Sequence, residues 1–119
     1  LTALGEYDRA EELYGKALHV MSLNENGETD MAITYCNMAD LTAARCDTGT
    51  EGITLDAEAE RKIGEYLETA RRLLDTETLP RDGYHAFVCE KCAPTFGYYG
   101  FFADEKELSE RSEQIRRKL

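Results

Sequence analysis

Six residues near the start of the chain, Ala10, Leu13, Tyr14, Ala17, Leu18 and Met21, recur at steps that bring them to one side of a helix. A strand alternates sides every residue, so this stripe commits the segment to a helix with a single buried face. The same spacing returns later. Ile63, Tyr66, Leu67, Ala70 and Leu74 repeat the positions of Ala10, Leu13, Tyr14, Ala17 and Met21 at an offset of 53 residues. Five matching sites at one offset make an internal repeat of helical units. Ala10 and Ala17 face the core but are small, so a neighbouring helix backbone can come close at those two heights.

The remaining elements follow in order. Leu1 to Leu4 reads as the last turn of an earlier helix. Gly5, two residues before Tyr7, then gives a tight turn, with Asp8 and Glu11 spaced as a capping box for a helix over 8–21. Asn24, Asn26 and Gly27 end that helix. A third helical segment covers about 29–46, with Met31, Tyr35, Met38, Ala39 and Thr42 on one side. Residues 47–56, with Gly49 and Gly52, form an inserted loop, and Asp56 is the N-cap of a helix reaching about Asp75. Arg71 replaces the leucine of the earlier stripe, which predicts a solvent-facing edge there. Pro80 and Asp82 mark the start of a helix over 83–99, kinked or split by Pro94. A sixth helix, 104–119, has only Leu108, Ser112, Ile115 and Leu119 as its inward stripe.

Composition sets the bounds. The 119 residues suffice for one domain and one core, and 42% hydrophobic with 32% charged residues and two prolines suits a helical protein. A net charge of −10 argues against nucleic acid and against an anionic membrane surface, because both need a basic patch. No apolar run reaches the length of a bilayer span, and no signal peptide is visible. The chain opens on Leu1 inside a helical pattern, which predicts a fragment of a longer protein. Cys36, Cys46, Cys89 and Cys92 sit within helical patterns and no glycosylation sequon is present. They read as reduced thiols of a cytoplasmic protein.

Several of these segments resemble the tetratricopeptide repeat, a helix–turn–helix unit that stacks into a solenoid. Gly5-x-Tyr7, Ala10, Tyr14, Ala17 and Leu18 match the turn and second helix of such a repeat. Tyr35-Cys36-Asn37-Met38-Ala39 is similar to the Y-x-N-L-A of its first helix, particularly in the kinesin-light-chain-like subgroup. Ala93 with Phe96, followed by Gly100-x-Phe102, resembles a further first helix and turn. The resemblance implies an all-α fold, a right-handed α-α superhelix of five to six antiparallel helices forming a single domain over 1–119. Repeat 1 is partial over 1–23, repeat 2 covers 29–75 with the inserted loop, and repeat 3 covers 81–119 with a terminal capping helix. The inserted loop departs from the family pattern.

The family's first helices line a concave groove that holds a peptide or a partner helix. Carried onto this chain, the groove is lined by Ile33, Cys36, Asn37, Asp40 and Ala44 from one repeat and by Phe87, Glu90, Lys91, Pro94 and Tyr98 from the next. Asn37 offers a donor and an acceptor to a peptide backbone, with a hydrogen bond between helices as its alternative role. Lys91 stands where it can pair with a ligand carboxylate, with plain solvation as its alternative. Of the rings of Phe96, Tyr98, Tyr99, Phe101 and Phe102, most are expected in the core and one or two exposed as anchors.

Cys89-x-x-Cys92 with His85 lies on one helical face and is the one metal- or thiol-site candidate. Zinc takes four ligands and no second cluster is spaced to complete them, while a redox pair favours a helix N-terminus. Small core side chains are the preferred reading, and neither a cofactor nor a metal is expected. No phosphate loop, H-E-x-x-H or nucleophile elbow occurs. The sequence therefore predicts a non-enzymatic module that binds a protein or peptide, with self-association through its N-terminal end as a further option. The alternative function is a sensory domain of a larger bacterial-type regulator.

Overall fold

In a computed structural model, residues 3–46 and 54–119 are described and form an all-helical chain. The helices are α1 (Ala3–Ser22), α2 (Glu28–Ala44), α3 (Ala57–Leu74), α4 (Gly83–Tyr98) and α5 (Phe102–Arg117). The expected loop falls largely on 47–53, outside the described residues, as do residues 1–2 of the expected first turn. None of the described helices is long and apolar enough to cross a membrane.

The pairs α1–α2, α2–α3 and α4–α5 run antiparallel. Met21 and Thr34 touch at one end of the α1–α2 pair while Asp8 and Arg45 meet at the other. Tyr35 packs on Tyr66 between α2 and α3, 6.0 Å between ring centroids. Glu105 lies against Gly97 at one end of α4–α5, and Leu119 reaches Gly83 at the other. One core threads the stack, with Ala32, Cys36, Ala39 and Ala43 of α2, Ile63, Leu67, Ala70 and Leu74 of α3, Val88, Cys89, Cys92, Ala93 and Phe96 of α4, and Leu108 of α5. Four of the five residues of the second stripe are thus buried, and the fifth, Tyr66, is packed against the core.

Local chemistry accounts for the ends of these helices. Asp56 caps α3 by accepting from the Ala59 N–H at 2.7 Å, and Asp82 caps α4 by accepting from the His85 N–H at 2.9 Å. The α1–α2 turn passes Asn26 at φ 60° and then packs Gly27 so tightly that a Cβ there would lie 2.0 Å from the Met21 carbonyl oxygen. Only glycine fits that contact. Gly100, at φ +90°, makes the α4–α5 turn. Pro94 sits inside α4 without splitting it.

Four expectations give way. No turn forms at Gly5, because α1 runs unbroken from Ala3 to Ser22. One glycine costs a helix only about 1 kcal/mol, too little to break it. Asp8 and Glu11 consequently do not cap a helix; both bind Arg45 Nη2, at 2.9 and 2.7 Å. Arg71 is not at a free edge. Its side chain, 17% exposed, binds Asp75 and reaches α5 at Asp104 (2.7 Å) and Glu107. Leu119 lies beyond α5 and is exposed, so the inward stripe of that helix is Leu108, Ser112 and Ile115, joined by the buried Arg111. The first stripe is buried less than its repeat. Among the described residues α1 packs mainly against α2, which leaves Leu13 of the expected stripe exposed, together with Val20 and, just past the helix, Leu23.

Candidate functional site

The residues expected to bind a partner belong to α2 and α4, and the seam between these helices determines where each one points. Both contribute small side chains to the core between them, Ala32, Cys36, Ala39 and Ala43 from α2 and Cys92 and Ala93 from α4. The Cys36 and Cys92 thiols neighbour each other across the seam, and that neighbour, ahead of burial, holds the Cys92 thiol protonated far above its ordinary range. Two tyrosines pin the ends. Tyr84 donates to Asp30 at the start of the seam, and Tyr99 donates to Asp40 Oδ1 at 2.8 Å near its end. Since 30 meets 84 and 40 meets 99, the two helices run parallel. The bond to Asp30, helped by partial burial, raises the Tyr84 hydroxyl to about 12.

Each residue turns a helix by about 100°. With Cys36 and Cys92 facing each other, Asn37 on α2 and Lys91 on α4 therefore project to the same side of the seam. Ile33, Asp40 and Ala44 share that side on α2, and Phe87 and Tyr98 share it on α4. Asn37, Asp40, Phe87, Lys91 and Tyr98 are exposed there, while Ile33 and Ala44 are half-buried. Asn37 makes no side-chain hydrogen bond to any described residue, so its amide is not spent on the neighbouring helix. Lys91 is engaged: its ammonium lies 5.4 Å from the centre of the Phe87 ring, and Phe87 stacks on Tyr84 at 6.2 Å. The result is an open face with an unpaired amide, a cation resting on a ring, and the exposed aromatics Tyr84, Phe87 and Tyr98.

Three sequence assignments do not belong to this face. Cys36 is in the seam, only 2% exposed. Glu90 and Pro94 each lie about 200° of helical rotation from Cys92, which turns them toward α5. There Glu90 takes two hydrogen bonds from Arg116, at 3.2 and 2.7 Å, and Pro94 borders a hollow with Ser109 and Ser112. Conversely, Asp30 and Tyr84 were missed. Each lies seven residues before a residue that was named, Asn37 and Lys91 respectively, so carrying the stripes two turns further back finds them.

A second feature adjoins Tyr98. A cleft of about 670 Å³ opens between the start of α3 and the α4–α5 turn, lined by Leu55, Glu60, Ile63 and residues 98–102. As expected of the aromatic cluster, Phe96 is buried and packs edge-on to Phe101 at 6.4 Å, whereas Tyr98 and Phe102 are about 70% and 68% exposed.

The third feature is a buried polar knot where α3, α4 and α5 meet. Arg111, 8% exposed, donates to the Leu74 carbonyl at 3.2 Å and to Asp75 Oδ1 at 2.6 Å, and its Nη1 lies 3.5 Å from His85 Nε2. His85 Nδ1 has no partner among the described residues. Burial, then the charges of Arg111 and Arg81, depress the His85 pKa, so this imidazole is neutral at pH 7. Burial also raises the Cys89 thiol to about 11, against a smaller opposing pull from Arg111. Cys89 and Cys92 are both fully buried and free, and serve as core side chains. Among the described residues, no three His, Cys, Asp or Glu side chains are grouped to hold a metal ion.

Compared with protein-family models, curated proteins and solved structures, the chain matches none.

Proposed function

We propose that this chain is a segment of a tetratricopeptide-like solenoid that binds an extended peptide or a partner helix on the α2–α4 face. The parallel course of α2 and α4, each paired antiparallel with the helix that follows it, supports the repeat reading. α5 then acts as the capping helix, its outer side covered by charged residues.

One observation carries the binding reading. Asn37 is an exposed side-chain amide with no partner among the described residues, on the same side of the seam as the exposed rings of Phe87 and Tyr98. An amide can accept from and donate to a peptide backbone at once, and half-exposed aromatic rings beside it supply anchors for apolar side chains. Ile33 and Ala44 form the apolar floor, and Asp40, tied to Tyr99, borders it. In this role the chain recognises a partner and needs neither a catalytic group nor a metal, consistent with the deep burial of its three core cysteines.

A peptide array probed with the parent chain and with Asn37→Ala and Phe87→Ala variants tests this. Both residues are exposed, so the variants should keep the parent's thermal midpoint while losing array signals. Unchanged signals from both folded variants would remove the α2–α4 face as the binding surface.

A further inference from the structure

The cleft beside Tyr98 differs from the α2–α4 face in one respect that bears on what the partner carries. Its walls are apolar and aromatic, and its charged lining residue is Glu60. No ion pair or side-chain hydrogen bond joins Glu60 to a described residue. All 14 lysines and arginines lie among the described residues, and none of them forms an ion pair with Glu60. Tyr98 and Phe102 stand exposed at the rim, and the Tyr99 ring meets Tyr98 edge-on at 4.9 Å. The Tyr99 hydroxyl is already given to Asp40, so this ring contributes its surface rather than a donor.

We infer that this cleft takes an arginine side chain from a basic segment of the partner protein. The guanidinium stacks on the Tyr98 and Phe102 rings and pairs with the Glu60 carboxylate. Arginine fits better than lysine because its planar, weakly hydrated head stacks on aromatic faces and meets a carboxylate through two parallel N–H groups. The chain's net charge of −10 draws such a segment in and repels an acidic one. At about 670 Å³ the cleft has room for a side chain with the backbone on either side of it. Tyr98 belongs both to this cleft and to the α2–α4 face, so the assignment rests on the peptide-binding reading and specifies the chemistry of the peptide at its far end.

The test is an NMR titration of the isotope-labelled 119-residue chain with a short peptide of alternating arginine and glycine. The same peptide carrying citrulline, which has the shape of arginine without its charge, is the control. Amide shifts should concentrate at residues 98–102 and at Glu60, and the citrulline peptide should produce none. Glu60→Gln and Phe102→Leu should each weaken binding about two- to fivefold, the range for an exposed ion pair or cation–ring contact. Glu58→Gln, an equal charge change one turn-half away and outside the cleft, should leave it unchanged. Equal losses from Glu58→Gln and Glu60→Gln, equal binding of the citrulline peptide, or an absence of shifts at 98–102 would each overturn the assignment. The two readings separate cleanly. Array ligands that require Asn37 and Phe87 but ignore Glu60 and Phe102 leave the face standing and remove the cleft. An arginine peptide held by Glu60 and Phe102, with array signals indifferent to Asn37 and Phe87, does the reverse.

Discussion

Arg111→Met tests the energetics of the buried knot. Methionine keeps most of the aliphatic volume and removes every donor. The Leu74 carbonyl then loses the 3.2 Å bond from Arg111, and a buried acceptor left without that partner costs about 1–3 kcal/mol. Asp75 loses its 2.6 Å bond but is 41% exposed and keeps Arg71, so its share is at most ~1 kcal/mol. The total is about 1–4 kcal/mol, or a fall of roughly 5–15 °C in the thermal midpoint of a domain this size, followed by far-UV circular dichroism. The pH dependence adds a second readout. Arg111 is one of the causes, after burial, that depress the His85 pKa. Removing it lets His85 accept a proton more readily in the folded state, so the deficit of the variant should be smaller at pH 5 than at pH 8. The reasoning fails if the variant is as stable as the parent, which would mean that desolvating the guanidinium cancels its bonds. It fails equally if the deficit grows at acid pH.

Three further outcomes follow from the same structure. His85 has a folded-state pKa below its ordinary 6.5, so its contribution to stability is complete above pH 6.5 and is lost as pH falls below it, where the unfolded chain takes up a proton first. Urea midpoints measured between pH 7 and 5.5 should therefore fall more steeply for the parent than for His85→Gln, and parallel slopes would count against this. Gly27→Ala should cost about 1–3 kcal/mol in chemical denaturation, since its Cβ would collide with the Met21 carbonyl oxygen; a neutral result would show that the α1–α2 turn yields freely. Of the four thiols, Cys46 alone is half-exposed, so a disulfide reagent at pH 8 should modify one thiol promptly and the other three only on unfolding. Prompt reaction of two or more would refute the packing around Cys36, Cys89 and Cys92.

The helices were legible because their signals are local. The spacing of Ile63, Leu67, Ala70 and Leu74 sets a buried stripe whatever lies opposite, and Asp56 and Asp82 cap the amides three residues ahead of them. The same locality explains the misreadings. Asp8 and Glu11 have capping-box spacing, yet that spacing occurs equally in the middle of a helix, where Arg45 takes both carboxylates from α2. On the candidate face, Asn37 and Lys91 were recognisable from their positions, whereas Glu90 and Pro94 were assigned to it without knowledge of where α5 lies.

What the sequence determined by itself, then, is the course of the later helices and most of the residues they turn inward, such as Ile63, Leu67, Ala70 and Leu74, because helical period and capping act within a few residues. Tertiary structure decided the rest: that Arg71 and Arg111 tie α3 to α5, that Cys36 meets Cys92 so that Asn37 and Lys91 emerge together, and that Glu60 borders a cleft of aromatic rings without an ion pair to any described residue. Those relations depend on how helices rotate and cross against one another, and partners 30 or more residues apart leave no periodic trace in the chain.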